Sequence, residues 1–182
     1  MESVESSDIR IERAKPEDAH GIQEVFYRSW LATYPNEKAG ITAEDIEERF
    51  KDGFSEDWLA KRRAFFAAPP EDETWLVAKK GGTVVGLVSP VRKPDRNQLQ
   101  RIYVHPDHFH QGIGTKLWEA AKGCMDMGKD TYVNLVDYNE RAQRFYESLG
   151  FKDTGRRWPS EILKIKNGVN LAEMEMVRKA SS

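Results

Sequence analysis

The segment LQRIYVHPDHFHQGIGTKL, from Leu99 to Leu117, constrains the fold more than any other. A strand-like run, Gln98–Val104, leads into a polar, histidine-rich loop. Gly112-Ile113-Gly114 follows, and an apolar pattern at helical spacing (Ile113, Leu117, Ala121, Cys124) begins there. Glycines at a helix mouth have two physical uses. They ease a tight strand-to-helix turn, or they clear side chains so that unpaired N–H groups at the positive end of the helix can meet an anion. There is no GxxxxGK[ST], which removes the P-loop, and no GxGxxG, which argues against a dinucleotide fold.

Local signals order the rest of the chain. Ile9 and Ile11 alternate as a first strand. Pro16, Glu17 and Asp18 suit a helix start, and Ala19, Ile22, Val25, Phe26 and Trp30 continue it. Thr42 with Asp45 resembles a capping box, and Ser55 suits an N-cap. Trp75–Lys79 and Thr83–Val88 read as strands joined at Gly81-Gly82. Thr131–Val136 is the next strand. Asn139 suits the N-cap of a helix carrying Ala142, Phe145, Tyr146 and Leu149, with Gly150 as its C′ residue. Ile162–Lys166 and Leu171–Val177 flank Asn167-Gly168, a hairpin signal. The expected fold is α/β: a central twisted mixed sheet flanked by helices, with a C-terminal antiparallel hairpin. The 182 residues suit one domain, with residues 1–7 as a disordered tail.

Composition narrows the partners. A formal net charge of -2 provides no strong field for nucleic acid or a membrane surface. The single cysteine, Cys124, allows no internal disulfide, and no run approaches the length of a membrane span. The first eight residues are polar and acidic, so no secretory signal is expected, and the expected location is cytoplasmic. His105, Asp107, His108 and His110 are too closely spaced, without a distant fourth ligand, to suit zinc, so no metal is expected.

Together, LQRIYVHPDHFHQGIGTKL and VDYNERAQRFYESLGF resemble the GNAT superfamily of N-acetyltransferases. The first resembles that family's acetyl-CoA motif, and the second its Asn-x-x-Ala-x-x-Phe-Tyr-x-x-x-Gly-Phe segment. The resemblance extends from the strand near Ile9 to the one near Val177. It implies acetyl-CoA as co-substrate and transfer of its acetyl group to a primary amine of a small molecule, peptide or protein, by direct attack in a ternary complex. Ile102, Tyr103 and Val104 would splay from their neighbour and bind pantetheine, with a backbone N–H near Val104 polarising the thioester. Phe109, His110, Gln111, Gly112, Ile113, Gly114 and Thr115 would hold the pyrophosphate. Asn139 would contact the CoA arm or order its loop, and Tyr146 would protonate the departing sulfur. By spacing alone, with Ala142 and Leu149, Tyr146 reads as a core tyrosine. Trp30, Tyr34, Gln98 and Trp158 are candidates for acceptor contacts. A homodimer is compatible with this reading.

Two departures matter. Phe109 stands where the family has Arg or Gln, and Gln98 stands where an acid that can serve as a base is common. These departures motivate an alternative, a non-catalytic acyl-CoA sensor. A hydroxyl acceptor or a longer acyl-CoA is a minor third option.

Overall fold

In a computed structural model, which describes residues 8–164 and 170–180, the chain forms a seven-stranded sheet. In chain order the elements are β1 (Arg10–Arg13), α1 (Ala19–Thr33), α2 (Ala43–Phe50), α3 (Glu56–Ala67), β2 (Leu76–Lys80), β3 (Thr83–Arg92), β4 (Asn97–Val104), α4 (Ile113–Lys122), β5 (Thr131–Val136), α5 (Glu140–Ser148), β6 (Lys152–Lys164) and β7 (Asn170–Arg178). The strand order is β1-β2-β3-β4-β5-β7-β6, and only β4 and β5 pair in parallel. The fold is the mixed α/β sheet the sequence implies. The expected tail, residues 1–7, and the Asn167-Gly168 turn lie outside the described residues.

Local chemistry explains the helix boundaries. The Asp45 N–H donates to Thr42 Oγ1 at 3.2 Å, and the Thr42 N–H donates to Asp45 Oδ2 at 2.9 Å, a reciprocal cap. Ser55 accepts from the Trp58 N–H and Asn139 from the Ala142 N–H. Gly81 and Gly82 turn the β2–β3 hairpin at φ +56° and +84°. Leu117, Trp118, Ala121 and Tyr146 pack α4 and α5 against Leu99, Val133, Met174 and Met176 on one sheet face. On the other face, Ala19, Ile22 and Val25 of α1 meet Val77, Val84 and Leu87.

Two strands run longer than their patterns suggest. β3 continues past Val88 to Arg92 because Pro90 sits at a bulge, where a missing N–H is tolerated. β6 starts at Lys152, ten residues before the expected Ile162. It pairs only with β7, its register shifts twice, and Gly155 takes φ +82°. Such an irregular edge lacks the alternation that marks a strand in sequence.

One buried amide locks the start of β4. Asn97 is fully buried; its Nδ2 donates to the Asp126 carbonyl at 2.8 Å, and its Oδ1 accepts from the Asp126 N–H at 3.2 Å. Asn97→Ala orphans both groups and should lower stability by about 1–3 kcal/mol, read from urea midpoints. A loss below about 0.5 kcal/mol would show that the loop relaxes to solvent.

Candidate functional site

The central feature is an opening in the sheet. β4 pairs with β5 only at Asn97↔Thr131, Gln98↔Tyr132 and Leu99↔Val133. On its other edge, Ser89 opposes Arg101 while Pro90 opposes Leu99, so Gln100 is an extra residue on β4. A bulge bends its strand and strengthens the local twist. Pairing with β5 ends at this bulge, and Ile102, Tyr103 and Val104 stay paired to β3 alone. The His105 N–H donates to the Val85 carbonyl, so by strand alternation the Val104 N–H faces the gap. The Val104 carbonyl accepts from Ser29 Oγ at 2.9 Å.

A cleft of 450 Å³ occupies the opening. Its wall includes Ile102, Tyr103 and Val104 from β4, Phe109, His110, Gly112, Ile113, Gly114 and Thr115 from the loop and α4, and Asn139 and Tyr146 from the α5 region. Of the donor-site residues expected from sequence, only Gln111 is not on this wall; its Nε2 donates to the Asp107 carbonyl at 3.4 Å. Ser29, Thr33, His108, Arg141, Ala142 and Phe145 also reach the cleft and were not foreseen. Arg141 and Ala142 lie within the recognised Asn139–Phe151 segment, and that segment was the only signal that could have found them. Ser29 and Thr33 sit on α1, which no motif links to α4.

The two glycines have different structural reasons. Gly112 is the N-cap of α4 at φ +73°, a left-handed conformation that disfavours side chains. A Cβ there would meet no described atom within 4 Å apart from its chain neighbours. At Gly114 a Cβ would stand 3.2 Å from the Phe145 ring, so this glycine lets α4 and α5 approach. The first helical bond runs from the Lys116 N–H to the Gly112 carbonyl. The N–H groups of Ile113, Gly114 and Thr115 precede that ladder, and Gly112 brings no side chain to cap them. His110, at φ +61°, is a second left-handed residue in this loop. The open space over Gly112 and the uncapped N–H groups fit a phosphate-bearing ligand.

Tyr146 is 5% exposed, with its ring 5.4 Å from both Phe145 and Phe151. Burial, and then the neighbouring Tyr103, raise its pKa well above the ordinary phenol value. Trp30 and Tyr34 are buried behind the cleft, and the hydroxyls of Tyr34 and Tyr103 lie 3.4 Å apart. Gln98 sits at the paired end of β4, before the bulge, and Trp158 lies on β6 opposite Glu173. Neither is on the cleft wall. Among the described residues, no three His, Cys, Asp or Glu side chains gather as a metal site, and no helix is long and apolar enough to cross a membrane.

The tyrosines give a pH prediction. Burial, then Asp137, pushes Tyr138 up to about 12, and burial also raises Tyr34 and Tyr146. The unfolded chain releases these protons near pH 10, and the folded chain only at higher pH. Their contribution is therefore complete below pH 10 and is lost as pH rises towards 12. Urea midpoints should be level across pH 8–9 and fall between pH 10 and 12. A level midpoint up to pH 12 would contradict the burial of these phenols.

The fold and cleft define a mixed α/β protein whose sheet opens beside an uncapped helix mouth. Residues 71–153 match a family model described as the acetyltransferase (GNAT) domain. An uncharacterized N-acetyltransferase of Mycobacterium bovis, Mb2688, is 32% identical over 85 residues; the match covers 45% of this chain and about half, 54%, of that relative's length. Spermidine N(1)-acetyltransferase of Thermoplasma acidophilum is 29% identical over 147 residues, covering 79% of this chain and 88% of that protein. The crystal structure of PaiA N-acetyltransferase from the same organism, in complex with coenzyme A, has the same fold, with a TM-score of 0.69 at 24% identity over 94% of this chain and 99% of that one. Residues 71–153 thus belong to the GNAT acetyltransferase superfamily, and the chain as a whole has the fold of the PaiA enzyme.

Proposed function

We propose that the chain transfers the acetyl group of acetyl-CoA to a primary amine of a small molecule or peptide, by direct attack within a ternary complex. The observation that carries this reading is the parting of β4 from β5 at the Gln100 bulge, next to the uncapped mouth of α4. An extended thioester fits such a gap, and its phosphates fit the open space over Gly112.

When bound, acetyl-CoA supplies an activated acetyl thioester. The chain's own groups do the rest. N–H groups at the start of α4 bind phosphate. The Val104 N–H, fixed in a strand, donates to the carbonyl oxygen where charge develops. Ser29 holds the next peptide unit, through the Val104 carbonyl. Tyr146 stays protonated at any working pH and donates to the sulfur as the C–S bond breaks. Its raised pKa makes it a weak acid, so it assists a leaving group that is already fair. Gln98 cannot accept the proton of the amine, so that proton leaves through water relayed by polar groups. Relatives such as the spermidine enzyme support the acceptor class, and the single cysteine agrees with a cytoplasmic setting.

Isothermal titration with acetyl-CoA at near-physiological salt, followed by thiol release with a panel of amines, tests the proposal. Saturable binding with turnover of any amine supports it. Absence of binding removes it, and binding without turnover of any amine favours the acyl-CoA sensor.

A further inference from the structure

The cleft has an unbalanced charge. Among the described residues of its wall there is no aspartate or glutamate, and Arg141 is its one guanidinium or ammonium group. Arg141 begins the exposed side of α5 and reaches back over the cleft. Its Cζ lies 3.9 Å from the Phe109 ring centroid, and its Nη2 donates to Thr33 Oγ1 at 3.0 Å. No carboxylate among the described residues pairs with it; the nearby Glu140 is engaged by Arg144 at 3.2 Å. Desolvation pulls the Arg141 pKa below its ordinary value. A second donor or acceptor also stands in the same wall: His108 Nδ1 is buried with no hydrogen-bond partner among the described residues.

A guanidinium that is stacked, oriented and unpaired is arranged for a planar, multi-oxygen anion. The two neutral contacts use its ring face and one N–H. The other N–H groups have no acceptor among the described residues. Phe109 occupies the loop position where the sequence lacks an expected Arg or Gln, and Phe109 is the ring on which Arg141 rests. α5 thus places a cation beside the loop, and the phenyl ring serves as its platform.

We propose that Arg141, seated on Phe109 and held by Thr33, binds the phosphoryl oxygens of the donor. This rests on the donor reading above. It makes Arg141 a donor-binding residue that no acceptor chemistry requires.

The test separates the two halves of the donor. Calorimetry with wild type, Arg141→Met and Arg141→Lys uses acetyl-CoA, adenosine 3′-phosphate 5′-diphosphate, ADP and acetylpantetheine, with melting temperature as the folding control. Arg141→Met should bind acetyl-CoA and the 3′-phosphorylated nucleotide about 10- to 100-fold more weakly, the range for loss of a charge-assisted contact. Its affinity for phosphate-free acetylpantetheine should not change. Arg141→Lys keeps the charge but loses the planar fork, and should fall in between. A parallel loss with ADP assigns the contact to the diphosphate, and a loss confined to the 3′-phosphorylated ligand assigns it to that phosphate. The double variant Phe109→Arg/Arg141→Met returns a cation to the loop and should recover part of the affinity. Arg144→Met, outside the cleft wall, should leave all four ligands unchanged. Equal losses with acetylpantetheine, or no loss with acetyl-CoA, would overturn the proposal. A wild type that fails to bind acetyl-CoA at all would overturn the donor reading itself, and this inference with it.

Discussion

Tyr146→Phe should lower kcat about 100-fold while the melting temperature barely moves. The ring stays wedged between Phe145 and Phe151, and the hydroxyl makes no hydrogen bond to any described residue, so its removal orphans nothing. General acid catalysis is worth about 10²–10⁴-fold, and two facts favour the low end. A thiolate, with a thiol pKa near 8.5, is already a fair leaving group. The Tyr146 phenol, raised by burial, parts with its proton reluctantly. The loss should fall on kcat more than on the KM for acetyl-CoA, because the proton moves in the transition state and not on binding. It should shrink with an acetyl-CoA analogue whose thiol is more acidic. The alkaline side of the wild-type pH profile should show no limb from this phenol up to pH 10. Steady-state kinetics of both proteins with both donors decide the matter, and full activity in the Phe variant returns Tyr146 to a packing role.

Gly112→Val should weaken acetyl-CoA binding by about 100-fold or more. Two costs act together, and a companion variant separates them. At φ +73° any side chain pays a left-handed backbone penalty of about 1–2 kcal/mol, which Gly112→Ala also pays. Both variants should therefore melt several degrees lower, at about 2–4 °C per kcal/mol for a chain of this size. Apart from the chain neighbours, no described atom lies within 4 Å of the added Cβ, so the larger valine side chain stands in the open space the donor would enter. Valine, being β-branched, pays more backbone strain than alanine at this angle, so the fall in affinity from Ala to Val in excess of the further drop in melting temperature measures occupation of that space by the donor. Equal dissociation constants for the two variants would make Gly112 a turn residue alone.

The glycine question raised by the sequence thus has a layered answer. Gly112 is favoured by its backbone angle and Gly114 by the closeness of Phe145, so each has a reason to be glycine in a plain packing turn. The anion reading adds to these reasons. It draws on the uncapped N–H groups and on the open space, neither of which a packing turn needs.

Helix starts were legible because a cap is a contract between neighbours. Thr42 and Asp45, Ser55 and Trp58, and Asn139 and Ala142 are each three residues apart, and each pair makes the predicted bond. The Gly81-Gly82 turn was legible for the same reason. The early half of β6 was not, because an edge strand with a bulge, a left-handed glycine and Pro159 has no period to read. In the cleft, the residues carried by the two motifs converged, apart from Gln111. Arg141 went unnoticed although it stands inside one motif, because its meaning comes from Phe109, 32 positions earlier, and from Thr33 on another helix.

The sequence by itself determined the order of elements, most of their ends, and the presence of a strand leading to an uncapped helix mouth. Those properties depend on backbone angles and on side chains within about four positions of one another. The tertiary structure decided where the sheet opens. Gln100 is an extra residue only when β4 is counted against β3, and the gap lies where β5 stays paired with β7 along Thr131–Val136 while β4 parts from it after Leu99. Strand register is a relation between distant segments. No window of the chain contains it, and the site is built from that relation.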